Sequence, residues 1–137
     1  MLSNLFQSTT IPVLQEVVCF AQARHTVLAG NIANMDTPGY KVRDLSVEDF
    51  QNRLHAAIQR RREPPAPRSP GDPEDPQEMT LAQACRNPKT ILHHDRSNVG
   101  MEHEVTEMVK NQMEHNLALS IMASQFRLLQ AAISERA

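Results

Sequence analysis

The sequence predicts an all-α fold: two long terminal helices in an antiparallel, coiled-coil-like pair, a short helix between them, and a Pro-rich disordered linker. Three observations predict it. Apolar residues recur at alternating spacings of three and four near both ends of the chain, which marks a helix seam. Only 4% of the residues are aromatic and none is Trp, so the core is aliphatic and Met-rich, which suits helix packing better than a sheet sandwich. Residues 63–78 hold six of the nine prolines and separate the two seams. The chain divides accordingly into 1–62, 63–98 and 99–137.

Leu2, Leu5 and Phe6 form an i, i+3, i+4 apolar patch, enough for one or two loosely held turns. The first strong helix is expected over residues 11–35. Thr10 can cap it, and Pro12 is tolerated in its first turn. Its seam runs Ile11, Leu14, Val18, Ala21, His25, Leu28, Ile32, Met35, with His25 the one polar member. Val17, Phe20 and Val27 widen the stripe, so more than one partner helix can be served.

The stretch LAGNIANMDTPGYKVR, residues 28–43, then breaks the helix. Pro38 cannot continue the ladder and pushes Thr37 out of the α region. Pro38-Gly39 is type II turn chemistry, because Gly39 accepts the positive φ at the third position. Asn31 and Asn34 share a helix face and can bond the last carbonyls or the turn backbone. On local chemistry alone this is a helix C-terminus and a turn.

A shorter helix is expected over 46–60. Ser46-Val47-Glu48-Asp49 resembles a capping box with Asp49 in place of Glu, and Val47, Phe50, Leu54, Ala57 and Ile58 make one face. Arg60-Arg61-Arg62 favours the dipole at its end and reads as a solvated terminus rather than a site for an acidic partner. Residues 63–78 offer Ala66 as their one apolar residue beyond Pro and Gly, too little to offset ordering entropy. They read as a flexible, partly polyproline-II linker. Residues 79–85 suit a short helix, 87–88 a turn, 90–92 a short extended piece and 95–98 a loop. The last helix is expected over 99–134, with the seam Met101, Val105, Met108, Gln112, His115, Leu119, Met122, Phe126, Leu129, Ile133. Its acidic start (Glu102, Glu104, Glu107) and basic end (Arg127, Arg136) complement the helix dipole.

Composition excludes several function classes. A net charge of −2 sets up no global field toward nucleic acid or an anionic membrane. The longest apolar run falls short of the ~20 residues that span a bilayer. The start of the chain lacks the basic and apolar regions of a Sec signal. Cys19 and Cys85 form no CxxC pair and read as buried small hydrophobes rather than a disulfide. His93, His94, Asp95 and His103, with Glu102 and Glu104, could supply metal ligands, but the adjacent pair lacks i, i+4 spacing and an HExxH frame. No GxSxG, P-loop or dinucleotide loop is present. The expectation is a non-enzyme with no metal, no cofactor and no small-molecule substrate. His25 and His115, one on each seam, read as polar residues that set register.

The run Asn31-Ile32-Ala33-Asn34, then Asp36-Thr37-Pro38-Gly39-Tyr40-Lys41, is similar to the N-terminal signature of the flagellar rod and hook axial proteins. Val42-Arg43-Asp44, Phe50 and Leu54 resemble the proximal members of the basal-body rod protein family. Asn98, Val99, Met101, Glu102, Glu104, Asn111, His115, Phe126, Leu129, Ala132 and Ile133 look like the C-terminal signature of the same family. Gly100 stands where the family pattern expects Asp, and His115 where it expects Tyr. The resemblance covers roughly residues 5–58 and 97–134, and it implies a structural rod subunit that helps carry torque from the membrane ring to the distal rod. It also implies export through the flagellar type III apparatus without a cleaved signal. The implied partners are further copies of the chain, the other rod proteins, and the junction protein FliE at the membrane (MS) ring. It implies terminal helices that order on assembly and a turn, with Tyr40, Lys41 and Arg43 outermost, that docks on a neighbour.

Periodicity supports assembly independently. A two-helix pair leaves half of each apolar stripe wet, and His25, Gln112 and His115 weaken the seam further. Neighbouring chains would complete the core. The alternative is a non-flagellar helical adaptor or type III secretion chaperone using the same seams.

Overall fold

A computed structural model describes residues 9–62, 90–92 and 100–134. They form α1 (Ile11–Ala33), β1 (Arg43–Leu45), α2 (Val47–Arg62), β2 (Thr90–Leu92) and α3 (Met101–Ser134). The two three-residue strands leave the all-α class intact. The apolar patch at 2–6, the Pro-rich 63–78, the segments 79–85 and 87–88, and His93, His94 and Asp95 lie outside the described residues.

Pro12 sits in the first turn of α1, where a missing N–H breaks no helical bond. Thr10 does not cap the helix with its side chain. Its backbone is already helical (φ −78°, ψ −5°), and Thr9 Oγ1 accepts the Ile11 N–H instead, at 3.4 Å. The helix stops at Ala33, two residues before the expected end. Asn34 is its C-cap, with its N–H on the carbonyls of Gly30 and Asn31 at 3.1 and 3.2 Å. The Tyr40 N–H then donates to the Thr37 carbonyl at 3.1 Å across Pro38 and Gly39, and Gly39 has φ +79°. This is the type II turn expected of Pro-Gly.

Residues 43–45 leave the turn as a strand that sequence reasoning missed. Its partner is the 90–92 piece expected to be extended, paired antiparallel with Arg43 opposite Leu92 and Leu45 opposite Thr90. Ser46 Oγ accepts the Asp49 N–H at 3.1 Å, the capping bond that starts α2. Phe20 of α1 and Phe50 of α2 stack with ring centroids 4.0 Å apart, closed over by Leu45 and flanked by Val17, Val27, Val47 and Leu54. The second flank of α1 thus serves α2, as the wide stripe predicts.

α3 lies antiparallel along the other flank of α1: Asn31 bonds Glu104, Arg24 bonds Glu107 and Asn111 bonds Ala21. The side of α3 turned to α1 corrects the expected seam. Met108, His115, Met122 and Leu129 are half-buried as predicted, but the positions that complete the stripe are Glu104, Asn111, Ala118 and Gln125. Met101, Val105, Gln112, Leu119, Phe126 and Ile133 are exposed. The true stripe lies one residue away because polar and small side chains with partners on α1 occupy it.

Two composition readings also change. Cys19, on the outer face of α1, is exposed and disulfide-bonded rather than a buried hydrophobe, and Cys85 lies outside the described residues. An 18-residue window of α3 averages a hydropathy of 1.2, so that helix is long and apolar enough to cross a membrane by length and composition.

Candidate functional site

The turn and the start of α3 are joined by one side chain. Asn31, on the last turn of α1, has no exposed surface. Its Nδ2 donates to the Arg43 carbonyl at 2.6 Å and to Glu104 Oε2 at 3.1 Å. Its Oδ1 accepts the Arg43 N–H at 3.2 Å and the Tyr40 hydroxyl at 3.1 Å. A carboxamide has two N–H donors and one oxygen with two lone pairs, so every bond it can make is made. Asn31 therefore acts as a piece of backbone: it pairs with both polar groups of Arg43, starts β1, and pulls Tyr40 and Glu104 to the same point. Asn34 does a smaller job, its Nδ2 donating to the Gly30 carbonyl at 2.8 Å to close the helix end.

Two turns earlier, Arg24 is buried and forks between two carboxylates. Its Nε and Nη2 donate to Asp44 Oδ1 and Oδ2 at 3.0 and 2.8 Å, and Nη2 also reaches Glu107 Oε2 at 3.0 Å. The bidentate geometry is one that Lys cannot copy. The hydrogen bond to Asp44, working against burial, holds the guanidinium further toward its charged form than usual. Lys110, 2.6 Å from Glu107 Oε1, and then Arg24 hold the Glu107 carboxyl below its ordinary value of 4.5. Asp44 also accepts the Leu45 N–H at 2.7 Å, so the same carboxylate orients β1.

This clasp sorts the residues singled out from the sequence. Leu28 and Asn31 are buried inside it, and Ile32 and Asn34 are half-buried. Asp36, Thr37, Pro38, Gly39, Tyr40, Lys41 and Arg43 are exposed and form a continuous outer rim. On α3, Met108, Met122 and Leu129 face α1, while Met101, Val105, Leu119, Phe126 and Ile133 face outward. Arg24, Asp44 and Glu107 were missed as clasp residues, because nothing local in the sequence ties positions 20 and 83 residues apart. The available signal was a second repeat: Glu104, Asn111, Ala118 and Gln125 recur at the helical interval of seven, each one residue before a member of the apolar seam. Among the described residues, no three His, Cys, Asp or Glu side chains gather to hold a metal ion, and His93, His94 and Asp95 of the candidate cluster lie outside them.

Residues 21–41, which span the end of α1 and the turn, match the family model described as flagella basal body rod protein. The chain is 31% identical to the flagellar basal body rod protein FlgB of Escherichia coli K12, over 82% of this chain and 84% of that one. It is 28% identical to FlgB of Aquifex aeolicus, over 98% of both chains. Against FlgB of Bacillus subtilis it is 28% identical over 93% of this chain and 95% of the other. The match thus runs through the Asn31 clasp and along both long helices, and the chain belongs to the flagellar basal body rod protein FlgB family, a family of structural proteins.

Proposed function

We propose that the chain is a structural subunit of the proximal rod in the flagellar basal body, where copies pack through their terminal helices and help carry torque from the membrane ring to the distal rod. The observation that carries this reading is the outward apolar face of α3. Val105, Val109, Leu119, Phe126 and Ile133 are between 42% and 66% exposed, on the helix that the chain itself covers least. A contiguous apolar face of this kind marks a surface that another chain covers. The rim from Asp36 to Arg43, held rigid from beneath by Asn31, is the second contact. Export through the type III apparatus, and contacts with the other rod proteins and with FliE at the MS ring, follow from the family reading. The helical adaptor or secretion chaperone is not favoured by any relative.

The test is complementation of a strain lacking this gene. The Leu119→Asp, Phe126→Asp double variant changes two exposed side chains and leaves the buried stripe of α3 untouched. It is expected to be exported at the normal level, to be absent from purified basal bodies, and to leave cells non-motile. Asn34→Ala combined with Gly39→Val, which deforms the rim, is expected to give the same separation of export from incorporation. Normal motility with the double Asp variant overturns the assignment of that face.

A further inference from the structure

The sequence holds two cysteines, Cys19 and Cys85. Cys19, exposed on the outer face of α1, is disulfide-bonded within a single chain. Cys85 is the one other thiol in the sequence that can supply the bond. The topology brings it within reach. Phe20, the next residue on α1, packs with Leu45, and Leu45 stands opposite Thr90 in the two-stranded sheet. Paired strands lie about 4.8 Å apart, so β2 begins close to the part of α1 that carries Cys19. Cys85 precedes Thr90 by five residues, which span up to roughly 17 Å when extended.

We propose that Cys19 and Cys85 form an intramolecular disulfide that straps β2 to the body of the protein, and that its redox state decides whether β2 stays on β1. β2 needs such an anchor. It has three residues, and among the described elements it packs on β1 alone. A two-stranded pair is marginal in water, and residues 46–89 must be closed into a loop to form this one. The other edge of β1 is held independently, because both polar backbone groups of Arg43 are bonded to Asn31. Those groups point away from β2, so by the alternation of an antiparallel pair the N–H and C=O of Asp44 point to Ile91. Reduction thus releases β2 and leaves β1 on the Asn31 clasp. Exposure puts Cys19 within reach of exchange partners. Closure is thiol–disulfide exchange with oxidised glutathione or a protein disulfide. One cysteine thiolate attacks a sulfur of that oxidant and expels a thiolate; the second cysteine thiolate then attacks the mixed disulfide and expels the other. Two electrons and both thiol protons leave the chain, and the oxidant ends as two thiols. Such bonds persist in oxidising compartments and not in the cytosol, so the strap stays open in the cytosol and closes outside it. It needs no partner chain and is independent of the rod assignment.

The experiment uses the full-length chain, equilibrated with oxidised glutathione or with dithiothreitol, as wild type, Cys19→Ser and Cys85→Ser. Non-reducing peptide mapping of the oxidised wild-type monomer is expected to recover the Cys19 and Cys85 peptides as one linked species. Residue-resolved amide exchange then reads the strap. On reduction of the wild type the Asp44 amide is expected to exchange at least about tenfold faster, with Arg43 unchanged. Each serine variant should show the faster Asp44 rate under both conditions; if a variant misfolds, the reduced wild type carries the comparison by itself. Cysteine peptides recovered apart, capped by glutathione, or linked between two chains overturn the pairing. Equal Asp44 rates in the oxidised and reduced wild type, or equal acceleration at Asp44 and Arg43, overturn the strap.

Discussion

α1 and α3 read alike in the sequence, each with a long three/four apolar seam, yet they are used in opposite ways. α1 is covered on two flanks. Phe20 meets Phe50 and Leu45 on one side, and Ala21, Leu28 and Asn31 meet α3 on the other. α3 is covered on one narrow stripe, where its fully buried residues are Glu104, Asn111 and Ala118. Small and hydrogen-bonded side chains let two helices approach closely while the larger apolar residues stay outside. Length exaggerates the difference. Ala21 lies opposite Asn111, so ten residues toward its start Ile11 lies about opposite Ile121, and α3 runs on from there to Ser134. One helix organises the subunit; the other is mostly surface, and the difference suits a protein whose core is finished by its neighbours.

The sharpest way to break that comparison uses one residue type on both helices. Phe20 is 6% exposed and Phe126 46%. Phe20→Ala empties the stack on Phe50 and should lower unfolding stability by about 3–5 kcal/mol. Phe126→Ala should change it by less than about 0.5 kcal/mol. Urea unfolding of the isolated chain reads both, and equal losses would mean that α3 is covered within the monomer after all.

A second pair compares two residues of the turn. Asn31→Ala leaves the Arg43 amide and carbonyl, Glu104 and the Tyr40 hydroxyl without their partner, and should destabilise by roughly 2–4 kcal/mol. Asn34→Ala removes one bond to the Gly30 carbonyl and should cost about 1 kcal/mol. Amide exchange at Arg43 should accelerate strongly in the first variant and little in the second.

These pairs also mark where the sequence is legible. The helix class, the first seam and the Pro38-Gly39 turn follow from local rules, because each depends on residues within a few positions of one another. The Ser46 bond to Asp49 is legible for the same reason. Met108, His115, Met122 and Leu129 of the second seam follow from the same rules, but its other positions were read one residue off because the reading followed hydrophobicity, whereas α3 packs through Glu104 and Asn111, whose burial only partners on α1 make tolerable. The strand at 43–45 was missed because its cause is not in it: Asn31, twelve residues earlier, supplies the bonds that hold Arg43 extended. Asn31 itself could be picked out from the motif, but its role as an inward clasp beneath the rim, rather than a contact on it, needed three dimensions.

The smallest expected effect separates the two flanks of α1 by pH. Lys110 and Arg24 hold Glu107 below its ordinary value of 4.5 in the folded chain. As the pH falls, the unfolded chain takes up this proton first, so between the two values the unfolded state binds more protons and stability rises with pH. The contribution is complete above 4.5 and is lost as the pH drops through the lower, folded value. Acid should therefore loosen the α1–α3 contact while leaving the Phe20–Phe50 stack, which contains no ionisable group, in place. Amide exchange followed from neutral pH into this acid range should show protection falling first on α3 near Glu107 and later on α2. Glu107→Gln should remove that order by weakening the α3 contact equally at every pH, because Arg24 then has only Asp44 to pair with. Simultaneous loss on α2 and α3 in the wild-type chain would show that the two flanks of α1 unfold as one unit, and the contrast between the helices would then be one of exposure alone.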